Sequence, residues 1–165
     1  MSEYPEVAIN KYVWKQFELV KPVVYAQYGS TIPFFPVTDV KAGDTAWGTK
    51  PYVIYDSFIR ARSSNRYFYP MKSGQLMYSI KGGLADIFDW RDFISNVLDR
   101  EDAAAHDVND FAGTLNNNKY FFHCLNVSQL KYPGSSTKET GIDKKYATDL
   151  IIRYDYHLIN IYNNS

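Results

Sequence analysis

The chain predicts an α+β domain: a mostly antiparallel sheet of four to five strands with two main helices packed on one face. Three observations carry this. The elements come in the order helix, strands, helix, strands. Between Ala147 and Leu158, the apolar Leu150, Ile152, Tyr154, Tyr156 and Leu158 alternate with Asp149, Arg153, Asp155 and His157. That two-residue period marks a strand with one buried and one wet face. Finally, Ile87, Trp90, Ile94, Val97 and Leu98 fall along one stripe of a helix. A length of 165 residues suits one domain spanning 1–165. A chain of this size buries roughly 70% of its unfolded surface and folds without a metal or a disulfide.

The elements follow in order. Residues 6–28 predict a helix, because Ile9, Val13, Phe17, Val20 and Val24 recur on one face. Pro22 has no N–H to give the Glu18 carbonyl, so a kink or a break is expected there, and Tyr28-Gly29 supplies a stop. Thr31–Val37 is extended, and its two prolines confine it to an edge strand or a strand-like arm. Asp39–Lys50 is a glycine-bearing loop with one large apolar residue, Trp47. Pro51–Ile59 is a strand with Tyr52, Ile54 and Asp56 on one side, while Val53, Tyr55 and Phe58 contribute elsewhere. This imperfect alternation predicts burial on both faces or a bulge. Gln75–Lys81 alternates through Leu76, Tyr78 and Ile80 and makes a hairpin with it across a long polar loop.

Gly82-Gly83 ends that strand, and Asp86–Ala105 follows as a helix. Ala103–Ala105 with Val108, Phe111 and Ala112 either extend it or form a second short helix. Asn116–Asn118 is a turn. Tyr120–Lys131 and Ala147–Leu158 are the closing strands, joined by a long, polar, exposed loop over Tyr132–Lys145.

Charge and composition bound the function. Lys plus Arg and Asp plus Glu are 18 each, so the formal net charge is zero. A general nucleic-acid binder carries a basic surplus. Near-zero charge weakens self-repulsion and suits a protein that packs against its own copies. The 15 tyrosines and 10 phenylalanines serve either a β-rich core or interfaces, where a ring with a polar tip sits well. The single Cys124 excludes an internal disulfide framework and is expected to be a small buried hydrophobe. The start MSEYPEVA shows no secretion signal, and no apolar run approaches the roughly 20 residues of a membrane span. A soluble protein made in a reducing cytoplasm is therefore expected.

No catalytic cluster is visible. His106, Asp107 and Asp110, with Asp99, Glu101 and Asp102 before them, match no metal-ligand spacing and read as a solvated acidic helix face. His123 and Cys124 are neighbours on a strand, so they are expected to point to opposite faces and to serve structure. His157 lies on the polar face of the last strand. The helix after Gly82-Gly83 lacks the lysine and hydroxyl of a phosphate loop. No enzyme is expected, and no catalytic residue, metal or cofactor. The candidate partner-binding residues are basic. Arg60, Arg62 and Arg66, with Tyr67 beside them, stand in a stretch with no acid between Asp56 and Asp86. Lys138, Lys144 and Lys145 stand in the later loop. The arginine loop can meet phosphates or a partner's acidic surface; the plain alternative is a solvated hairpin tip.

The succession PYVIYDSFIR, QLMYSIKG, a helix ending VLDREDAAAHDVNDF, FFHCLNVSQLK and TDLIIRYDYHL resembles bacteriophage tail-terminator, or tail-completion, proteins over about residues 47–158. The resemblance rests on element order and the closing aromatic strand. It implies a non-enzymatic virion component, made in the host cytoplasm and located at the tail–neck junction. Such proteins form a ring, usually a hexamer, that caps the tail tube, ends its polymerisation and offers a surface to the head or neck. Partners would be copies of itself, the tube protein, and possible sheath and neck proteins. Nucleic acid would only pass through the ring, and no membrane is involved. Another head–tail connector and a small ligand-binding domain are the alternatives. Copy number, tail type and the face that meets the tube are not given by the sequence.

Overall fold

In a computed structural model, the structure describes residues 4–39, 50–61, 72–100, 102–114, 120–130 and 146–158. Helix α1 (Pro5–Val20) leads into the short α2 (Pro22–Ala26). Strand β1 (Phe34–Pro36) runs into a turn of 3₁₀ helix (Val37–Asp39). Then come β2 (Tyr52–Ala61), β3 (Lys72–Gly82), α3 (Leu84–Leu98), α4 (Asp102–Thr114), β4 (Tyr120–Leu130) and β5 (Tyr146–Leu158). Among the described residues no helix is long and apolar enough to cross a membrane.

The five strands form one sheet in the order β1-β2-β3-β5-β4. Every pairing is antiparallel except β1 with β2, which is parallel through Phe34–Val53 to Pro36–Tyr55. The expected class holds: a mostly antiparallel sheet with helices against it. The C-terminal strand is more committed than an edge, since β5 is bonded on both sides. It slots between β3 and β4, which α3 and α4 connect in the manner of a split β-α-β unit.

Alternation fixes which face is dry. Leu76, Tyr78 and Ile80 of β3 and Leu150, Ile152, Tyr154 and Tyr156 of β5 are buried. They meet Ile9, Val13 and Phe17 of α1, Ile87, Trp90, Ile94 and Leu98 of α3, and Ala104, Ala105 and Val108 of α4. An aromatic cluster joins α1 to α3: Trp14 packs edge-on to Tyr28 at 5.3 Å, and Phe17 lies 4.7 Å from Trp90. A buried hydrogen bond from the Tyr78 hydroxyl to Asn10 Oδ1 ties the central strand to α1.

Local breaks follow the residues that force them. The first helix stops at Lys21, one residue before Pro22, and Val20 is turned out to solvent while Val24 still touches the core. Gly29, with φ 61°, closes the turn after α2 in the left-handed region that glycine tolerates. The helical stretch after Gly83 breaks at Asp99, so the later apolar residues make a separate helix of 13 residues rather than an extension. Three long helices therefore stand over the sheet among the described residues, the third taking the second of the two readings left open for Ala103–Ala112. In β2, Tyr52, Val53 and Ile54 are all buried, so burial on both faces explains its imperfect alternation. Phe58 falls on the Tyr52 side. The Trp47 loop, the Asn116–Asn118 turn and most of the two long connections lie outside the described residues.

Candidate functional site: the uncovered sheet face

The helices cover one face of the sheet. The register places Asp56 and Phe58 of β2 on the other, with Ser73, Gln75 and Met77 of β3. Asp149, Ile151, Arg153, Asp155 and His157 of β5 share it. Phe58 and Phe121 are 58% and 41% exposed, so large rings stand in water on this face. Two carboxylates are held by directly opposed serines: the Ser73 hydroxyl donates to Asp155 at 2.7 Å, and Ser79 to Asp149 at 2.6 Å. A shallow cleft of about 510 Å³ is lined by Phe58 and Ile59 of β2 as apolar walls, with Ser73 and Gln75 of β3, Ser128 of β4 and Arg153 of β5 as polar groups.

A second apolar exposure lies in the helix layer. Leu19, Val20 and Val23, at the α1–α2 break, are 65%, 62% and 75% exposed. Three adjacent aliphatic side chains in water exceed the scattered single exposures that need no explanation.

The edges of the sheet differ. The edge strand β1 is three residues long and ends at a proline, which blunts pairing. The edge strand β4 is long, and register shifts interrupt it between Phe122 and Cys124 and between Val127 and Gln129. Asn109 of α4 caps it: its side-chain Nδ2 donates to the Phe122 carbonyl at 2.9 Å, and the Phe122 N–H donates to its Oδ1 at 2.8 Å.

The first shift corrects the expectation for His123 and Cys124. Phe122 and Leu125 both bury inward, so two residues between them occupy one step of the alternation. Cys124 falls opposite the outward Asp155, and His123 packs on Phe121 and His157. Both residues thus belong to the uncovered face. Cys124 is only partly buried, not a core residue. The His123 and His157 rings lie 4.7 Å apart, with His123 Nε2 2.5 Å from His157 Nδ1. Burial pushes the His123 imidazole down, partly offset by Asp155. Burial and then His123 push His157 down.

His106 is solvated at 73% exposure and stands 3.5 Å from Asp110, on the acidic helix face expected of it. Its neighbour Asp107 is engaged by Arg100 at 2.7 Å. Among the described residues no three of His, Cys, Asp and Glu converge as metal ligands.

Of the basic candidates, Arg60 lies on β2, with its backbone paired to Ser73. Arg62, Arg66, Tyr67, Lys138, Lys144 and Lys145 lie outside the described residues. Their anchor points are informative. The arginine segment joins Ala61 to Lys72, which pairs with Tyr156 near the end of β5. The lysine segment joins Leu130 to Tyr146, which pairs with Gly82 at the other end. Ten residues of β5 separate Tyr156 from Tyr146, roughly 33 Å at strand rise. The two basic segments therefore spring from opposite ends of the sheet. The His123–His157 pair, which sequence reasoning missed, sits at the arginine end. Alternation put His157 on the wet face, but only the register reveals its partner.

Compared with known proteins, the chain matches no protein-family model and no curated protein.

Proposed function

We propose that this chain is a structural virion protein of the tail-terminator kind, whose copies close into a ring that ends tail-tube growth and joins the tail to the neck. The observation that carries the reading is a pair of unlike apolar exposures: Leu19, Val20 and Val23 in the helix layer, and Phe58 with Phe121 on the uncovered sheet face. A ring needs a head-to-tail contact between two different patches of each copy, whereas a two-fold dimer uses one patch twice. The zero net charge weakens the repulsion that would oppose such packing. Basic segments springing from opposite ends of the strands suit a ring that touches one partner on each side, tube and neck.

The test is electron microscopy with native mass on the concentrated protein, and on V23D. Closed rings, expected to be hexamers, that V23D disperses without unfolding support the reading. A two-fold dimer, or rings indifferent to V23D, would count against it. Loss of the gene separates the related readings: over-long tubes mark a terminator, and normal-length tails that fail to join heads mark another connector. Replacing Arg60, Arg62 and Arg66 by Ala is expected to leave folding intact and to weaken tail joining. Normal numbers of infectious particles from that triple variant would remove the arginines from the proposed contact.

A further inference from the structure

We propose that His123 and His157 form a two-imidazole chelate for a borderline transition-metal dication of the Ni²⁺, Cu²⁺ and Zn²⁺ class. The proposal stands apart from ring formation and rests on how the edge of the sheet is built. His123 follows the inward Phe122 and so faces outward, and the β-bulge there inserts a residue into β4 that leaves His123 unpaired beside His157 of β5. Without it, His123 would still face outward, opposite Asp155, and Cys124 would take the inward position that Leu125 now fills. Phe121, opposite His157 in the register, packs against both rings, at 5.2 Å from His123 and 5.4 Å from His157. The two imidazoles are thereby held edge to edge, Nε2 of one facing Nδ1 of the other at 2.5 Å.

That gap is bridged by a single hydrogen in the metal-free pair, one ring donating and the other accepting. Metal–nitrogen bonds of about 2.05 Å at a tetrahedral angle place two ligating nitrogens about 3.3 Å apart. Opening the pair by about 0.8 Å admits the ion in place of the shared proton. His123 is solvent-exposed and His157 only half-buried, so small side-chain rotations suffice. Imidazole nitrogen selects this class over Mg²⁺ and Ca²⁺, which prefer oxygen. Two protein ligands leave the remaining positions to water, or to a side chain of another molecule.

The experiment is calorimetric titration of the full chain with NiCl₂ and with ZnCl₂ at neutral pH, alongside H123N, H157N, C124S and H106N. Unfolding of each variant in chelator-treated buffer shows that it folds. The expected result is saturable one-to-one binding, weakened at least tenfold in H123N and in H157N, and unchanged in C124S and H106N. The metal is expected to raise the unfolding temperature of the wild-type chain and not that of H123N. Undiminished binding in H123N, binding lost in C124S, or binding lost in H106N would each overturn the proposal. So would no saturable binding by the wild-type chain.

Discussion

Replacing Asn109 by Ala removes two hydrogen bonds at one stroke. Its side-chain amide spans from α4 to the edge strand β4, donating to the Phe122 carbonyl at 2.9 Å and accepting the Phe122 N–H at 2.8 Å. The amide orientation is fixed by these partners, since only Nδ2 can face a carbonyl. Among the described residues no strand lies beyond Phe122 on that side, where β4 ends the sheet. Each neutral hydrogen bond contributes about 1 kcal/mol net, so the pair contributes about 2 kcal/mol. Ala is a better helix former than Asn by roughly 0.5 kcal/mol, which leaves a net loss of about 1.5 kcal/mol. For a domain of this size that lowers the unfolding temperature by about 3–6 °C. Urea unfolding followed by tryptophan fluorescence reads it directly, since Trp14 and Trp90 are both buried in the core. The slope should stay that of wild type, with only the midpoint falling. N109D is the second variant. It keeps an acceptor for the Phe122 N–H but sets a carboxylate oxygen against the carbonyl, so it should be no more stable than N109A. An N109A midpoint equal to wild type, or an N109D variant more stable than N109A, would refute the claim that this amide fastens the edge.

Two further substitutions probe the same fold. Gly74 of β3 lies opposite Tyr154, whose ring covers the glycine so closely that an added Cβ would overlap it. G74A is expected to cost about 1–3 kcal/mol by overpacking, measurable as a lower urea midpoint; a Y154L change in that background should recover part of the loss, and an additive double variant would show that the ring is not the obstacle. Glu6, in the first turn of α1, has its Oε2 buried without a hydrogen-bond partner. Burial raises its pKa above the ordinary carboxyl value, against the lowering effects of its own backbone and of Ser57. A raised folded-state pKa means the carboxyl's contribution is present below the unfolded value and is lost as pH rises through the folded value. E6Q should therefore gain on wild type as pH climbs from the acid side of that titration to neutrality, and a stability difference that is flat with pH would show that Glu6 ionises unhindered.

What was legible in the sequence was what period and punctuation encode. The strict alternation around Leu150–Tyr156 announced β5 because those side chains face a continuous dry layer. Pro22 announced the break in the first helix because a missing N–H acts within one turn. The Ile87, Trp90, Ile94 and Leu98 stripe announced α3 for the same local reason, and all four are buried. Strand neighbours were not legible. Nothing local in Phe34–Pro36 distinguishes a parallel partner from an antiparallel one, and nothing in β5 states that it divides β3 from β4. The bulge after Phe122 was invisible for a related reason. Reading FFHCL at period two sends His123 and Cys124 to opposite faces, and only the burial of both Phe122 and Leu125 reveals the extra residue. That one-residue irregularity carries most of what the sequence could not say about the site. It puts the lone cysteine on the uncovered face, beside the His123–His157 pair and Phe121, at the end of the sheet from which the arginine segment springs. A regular β4 would have kept His123 outward and turned Cys124 into the helix-covered layer. The uncovered face owes its cysteine to a break in the pattern and its histidine pair to the pairing of β4 with β5, so its chemistry depends on the strand register that Asn109 helps to hold.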